Sequence, residues 1–146
     1  MSGSSFKSVF NLERFIDAQA PVYAQVLSEL VQGRKRSHWM WFIFPQIAGL
    51  GHSAMARHYA VSSREEAAAY LAHPILGARL IECVSRLLAI GGKTINDILG
   101  SPDDLKFRSS MTLFRAVSDN PVFDLALRKF YEGVEDERTL EILKDG

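Results

Sequence analysis

Apolar residues at helical spacing, cut into short runs by proline, glycine and capping residues, constrain the fold of this chain more than any other feature of its sequence. Tyr23, Val26, Leu27, Leu30 and Val31 share one helical face, and Gly33 stops the run. Leu76, Leu80, Cys83, Val84, Leu87 and Leu88 form the clearest amphipathic stripe, which Gly91-Gly92 closes. No apolar/polar alternation of strand type occurs, and no hairpin dipeptide joins two apolar runs. The expected class is therefore all-α, with seven to nine short helices in a single compact domain over residues 10–146. The Ser/Gly-containing stretch 1–9 reads as a disordered tail.

Helix starts are marked repeatedly. Asn11, Ser53 and Thr94 stand as caps before apolar runs, and Pro21 suits the first position of the second helix. Ser62 and Ser63 precede Glu65 and Glu66 by three residues, a capping-box pattern in two registers. Ser101-Pro102-Asp103-Asp104 offers a hydroxyl, a proline and two acids for the positive end of a helix reaching about Val117, and Asn120-Pro121 repeats the device. His73-Pro74 separates an alanine-rich helix from the amphipathic one. From Trp39 to Phe44 the apolar residues are continuous, so periodicity does not distinguish a strand from a buried helical turn; the absence of a partner strand favours helix or irregular chain.

Seventeen basic and seventeen acidic side chains cancel, so no global field draws the protein to nucleic acid or an anionic membrane. Nucleic acid would have to be held by a local patch such as Arg34 to Arg36 with Arg57-His58. The single cysteine, Cys83, excludes an internal disulfide and a cysteine-based zinc site, and the histidines lack ligand spacing, so no metal is expected. The longest apolar run is far short of the roughly 20 residues that span a bilayer. A cytoplasmic protein with no membrane association is expected.

Chemistry concentrates between Arg34 and Gln46, where three cations and His38 precede both tryptophans. Arg34 and Arg36 suit phosphate, Trp39 or Trp41 suits a stacked ring, and Gln46 can hydrogen-bond a ligand. The contrary reading makes the cations a solvated loop and the aromatics core. His38 is the first acid–base candidate, although no nearby carboxylate orients it. Ser109, Ser110 and Thr112 crowd three hydroxyls into one helical turn. They either return hydrogen bonds to the preceding turn or face a polar ligand. Gly49-Leu50-Gly51 lacks the lysine and strand of a phosphate loop, and no resident cofactor is expected.

The run Gly33 to Gly51, the segment Tyr70 to Gly77, Arg79-Leu80 and the run Asp103 to Phe114 together resemble the bacterial domain-of-unknown-function 1810 family, some of whose members carry a calpastatin label. The likeness covers Phe10 to Leu143 and implies a small, all-helical, single-domain protein while assigning no reaction. A fainter similarity to the NADAR family lies in the early aromatic segment, a central Glu-Ala helix and the stretch Asn120-Pro121 to Phe130. It implies a nucleotide-like or ADP-ribose-like ligand, with hydrolysis of a glycosidic bond to ribose as the corresponding reaction. The expected function is thus binding or hydrolysis of a small phosphorylated metabolite. The alternative is a non-enzymatic protein-interaction module, including a homo-oligomer formed through exposed aromatics.

Overall fold

The computed structural model describes residues 10–145, and the expected disordered tail lies outside the described residues. Ten helices follow one another among the described residues: α1 (Glu13–Gln19), α2 (Tyr23–Gln32), α3 (Met40–Ile43), α4 (Ala54–His58), α5 (Arg64–Ala72), α6 (Leu76–Leu88), α7 (Ile95–Leu99), α8 (Asp103–Val117), α9 (Pro121–Tyr131) and α10 (Glu137–Asp145). No strand occurs among the described residues; one parallel bridge joins Ile47 to Val61. The all-α expectation holds. The count exceeds seven to nine because the continuous apolar run contributes its own single turn, α3. No single described helix is long and apolar enough to cross a membrane.

The central element is α8, which packs against α5, α7, α9 and α10. Six consecutive residues, Ser109 to Phe114, are buried, so this helix has no solvent face along its middle. That enclosure explains its composition. Ser109 and Thr112 return their hydroxyls to the carbonyls of Leu105 and Arg108, at 3.3 and 2.8 Å, which satisfies polar groups without an outside partner. Thr112 Oγ1 also accepts the Asp136 amide at 2.9 Å, and Asp136 in turn caps α10 through Thr139. Phe107 meets Phe44 edge-on at 4.8 Å, and Phe114 contacts both Tyr70 and Phe123.

Several helix starts follow the sequence. Ser53, Ser63, Thr94 and Asn120 each accept an amide of the first turn, and Thr94 with Asp97 forms a full capping box. Three starts differ. Asn11 does not cap α1: it adopts φ 51°, and its carbonyl is drawn to Arg14, accepting both the amide and the guanidinium. Pro21 lies in the turn before α2 rather than in its first position. Ser101 does not cap α8. Asp104 Oδ1 accepts the Leu105 amide there, while Asp103 pairs with Lys35 at 3.0 Å. His73 ends α5 and accepts the amides of Ile75 and Leu76 on Nδ1, so it joins one helix to the next.

At the end of α2, the carboxylate of Glu29 sits 1% exposed and holds the whole segment 36–39. It accepts hydrogen bonds from the Arg36 and Ser37 amides, the Ser37 hydroxyl, the Trp39 indole and the Gln25 amide, at 2.6 to 3.1 Å. Gly33, at φ 74°, turns the chain back so that these donors can reach it. Burial alone raises this carboxyl, but the bonds from Ser37, Arg36, Gln25 and Trp39 prevail and hold it down to about 2.

This packing has two measurable consequences. A Cβ on Gly77 would lie 2.1 Å from the Leu71 carbonyl oxygen, so α5 and α6 meet only because that position is glycine. Gly77→Ala should therefore lower stability by about 1–3 kcal/mol in urea denaturation, as overpacking does. The Glu29 carboxyl lies below its ordinary value of about 4.3. The stabilisation from its ionised form is complete above that value and disappears as pH falls toward about 2. The difference amounts to roughly 3 kcal/mol. Denaturation free energies measured from about pH 6 down to about pH 2 should converge for the native protein and Glu29→Gln; curves that run parallel would show that Glu29 is not the group responsible.

Candidate functional site

Residues 46–61 form an excursion clipped at its base. The Val61 amide donates to the Gln46 carbonyl at 2.9 Å and the Ala48 amide to the Val61 carbonyl at 2.8 Å. Ile47 and Val61 are buried at this junction, which fixes both ends of the excursion to the core. Between the excursion and α3 lies a cavity of about 160 Å³. Trp41, Gln46, Arg57 and Tyr59 bring polar groups to it, and Ala48, Gly49, Gly51, Ala56 and Ala60 give it a wall of small residues.

The far side of the cavity is positioned by Arg14. Its guanidinium donates to the carbonyls of His58 at 2.8 Å and Ala60 at 2.9 Å, bracketing Tyr59, and to Phe10 and Asn11. It also pairs with Glu66 at 3.0 Å. Glu66, 2% exposed, spends its other oxygen on the amide and hydroxyl of Ser62. Every strong group in this clamp is thus satisfied internally, and its role is to hold the 58–60 backbone. Tyr59 is further fixed by ring contacts with Phe15 and Phe42.

The lining groups differ from the clamp in one respect. The Trp41 indole, the Gln46 amide, the Arg57 guanidinium and the Tyr59 hydroxyl make no side-chain hydrogen bond among the described residues. Lys106 places its ammonium 5.5 Å from the Trp41 ring and 3.7 Å from Asp103, adding positive charge beside the cavity.

Of the residues proposed from sequence for a metabolite or for acid–base chemistry, Trp41 and Gln46 line this cavity, while Arg34, Arg36, His38, Trp39, Ser109, Ser110 and Thr112 do not. Arg34, Arg36 and His38 are exposed on the loop that Glu29 organises. Lys35, between the two arginines, turns inward to Asp103 and lies 5.1 Å from the Trp39 ring. Trp39 is 1% exposed and directs its indole N–H to Glu29. Ser109, Ser110 and Thr112 are buried within α8, and the Ser110 hydroxyl has no partner among the described residues.

Sequence reasoning missed Arg14, Glu29 and Tyr59, and it weighed Arg57 only for nucleic acid. Glu29 carried a signal, since a carboxylate three residues after Val26 and one before Leu30 interrupts a buried stripe. Arg14 carried none, because most of its acceptors are backbone carbonyls.

No curated protein matches the chain. A solved structure does: the 1.38 Å crystal structure of the conserved hypothetical protein Rv1873 from Mycobacterium tuberculosis, 54% identical, with a TM-score of 0.92. The likeness covers 92% of this chain and 97% of that one. The family described as "Protein of unknown function (DUF1810)" matches residues 9–143. With that match spanning nearly all its length, the chain belongs to the DUF1810 family.

Proposed function

We propose that the protein binds a small phosphorylated, nucleotide-like metabolite in the cavity between α3 and the 46–61 excursion. The observation that carries this reading is the convergence of four side chains with uncommitted polar groups on one cavity that also has a wall of alanine and glycine. A flat ring fits between small residues and the aromatic side chains of Trp41 and Tyr59, where dispersion and stacking are both available. Gln46 offers a donor and an acceptor to the edge of such a ring. Arg57 supplies the charge for a phosphate, and its planar fork suits that group.

The described lining holds no carboxylate, imidazole or thiol, so binding rather than hydrolysis is the step assigned to this cavity. Arg34, Arg36 and His38 are left outside it. The competing reading, a protein-interaction module, takes its support from Val31, Leu105, Leu125 and Val134, each more than half or about half exposed.

Tryptophan fluorescence separates the two. AMP should quench the native protein, and Trp41→Phe should lose the quench while Trp39 continues to report the core. Arg57→Ala should weaken AMP binding about tenfold or more, the expected loss of a charge-assisted hydrogen bond, without changing the melting temperature of the free protein. AMP at 100 times its dissociation constant should add about 2.7 kcal/mol of stability. An unchanged spectrum and melting curve across mononucleotides and sugar phosphates would favour the interaction module.

A further inference from the structure

Arg57 belongs to two cavities. Beyond it lies a second, more open one of about 430 Å³, to which Phe10, Asn11 and His58 contribute. Arg57 and Ala60 line both, so they form a common wall between the two. Successive side chains divide across that wall: His58 lines the outer cavity and Tyr59 the inner one. The division is held rigidly, because Arg14 fixes the carbonyls of both His58 and Ala60.

Size adds a constraint. At about 160 Å³ the inner cavity falls below the roughly 300–1,000 Å³ of sites that enclose a whole metabolite. It takes one ring and little more. A group attached to that ring can continue past Arg57 into the outer cavity. In that outer cavity the strong groups are already committed, since Arg14 and Glu66 pair with each other at 3.0 Å. The imidazole of His58 and the side-chain amide of Asn11 make no hydrogen bond to another side chain among the described residues, so the outer cavity offers hydrogen-bonding groups beside an ion pair that is already closed.

We infer that the ligand is two-ended: a phosphodiester or pyrophosphate whose charge rests on Arg57, with a ring in the inner cavity and a second, uncharged hydroxyl-rich group in the outer one. This deepens the proposed function and rests on it. A terminal monophosphate would leave the outer cavity to water, whereas a bridging phosphate satisfies the cation common to both cavities.

Calorimetric titration of the full-length protein with AMP, ADP, NAD and UDP-glucose tests the inference, with His58→Ala as the variant. At least one of the two-ended ligands, NAD or UDP-glucose, should bind about tenfold or more tightly than AMP, the equivalent of about 1.4 kcal/mol. His58→Ala should remove most of that advantage and leave AMP binding as it was. If AMP binds as tightly as NAD and UDP-glucose, and His58→Ala changes none of them, the two-ended ligand is wrong while the proposed function stands. Loss of AMP binding in Arg57→Ala with no effect of His58→Ala on the larger ligands would overturn the two-ended ligand in the same way. If none of the four binds, the nucleotide reading falls and this inference falls with it.

Discussion

A single buried carboxylate governs how the first third of the chain is arranged. Glu29 takes five hydrogen bonds from donors of four kinds: two backbone amides, a hydroxyl, a side-chain amide and an indole. No cation contacts it among these partners, so its ionised state depends on the donors being in place. The converse also holds, because the donors would be buried without a partner if the carboxylate were absent. This mutual dependence sets the course of the loop after α2. It orients Trp39 into the core, leads into α3, and so places Trp41 at the cavity. Arg34 and Arg36 remain on the outside of the same loop, where the backbone is fixed and the side chains are free.

The helical class and most helix starts were legible because they depend on local chemistry. Thr94 with Asp97 and Asn120 with Pro121 act over three residues, and their caps form where the sequence places them. Two expected caps fail. Asn11 and Ser101 are sound caps by local rules, yet the Asn11 carbonyl serves an Arg14 guanidinium whose other bonds reach across to His58, Ala60 and Glu66, and the Gly100 carbonyl takes the Asp104 amide that Ser101 would have served. The site was half legible for the same reason. Trp41 and Gln46 lie in the conspicuous aromatic run, whereas Arg57 and Tyr59 join them only because the bridge at Ile47 and Val61 returns the chain to its starting point.

The hydroxyl-bearing turn of α8 shows how one sequence feature can have a structural answer that local reasoning leaves open. Three hydroxyls in four residues are costly in an exposed helix, but the middle of α8 is enclosed on all sides and long apolar residues would not fit its every face. Small side chains let neighbours approach. Thr112 then does double duty, because its hydroxyl donates to the Arg108 carbonyl of its own helix and accepts from the amide of Asp136, tying α10 to the centre of the protein. Through Ile142, which stands 3.3 Å from where a Cβ on Gly49 would lie, α10 also supports the excursion from below.

The bridge between Ile47 and Val61 has an evolutionary corollary. A segment whose two ends are held side by side can lengthen, shorten or be exchanged between its anchors at a closure entropy that grows only with the logarithm of its length, here over the stretch 50–57 that precedes the Arg14 clamp at residues 58–60. Both anchor residues are buried and belong to the core, while Gly49 and Arg57 between them are exposed to selection for what they touch. A fold arranged in this way can vary the lining of the cavity by revising one interchangeable stretch of chain, leaving the helical scaffold and the Glu29 hub unaltered.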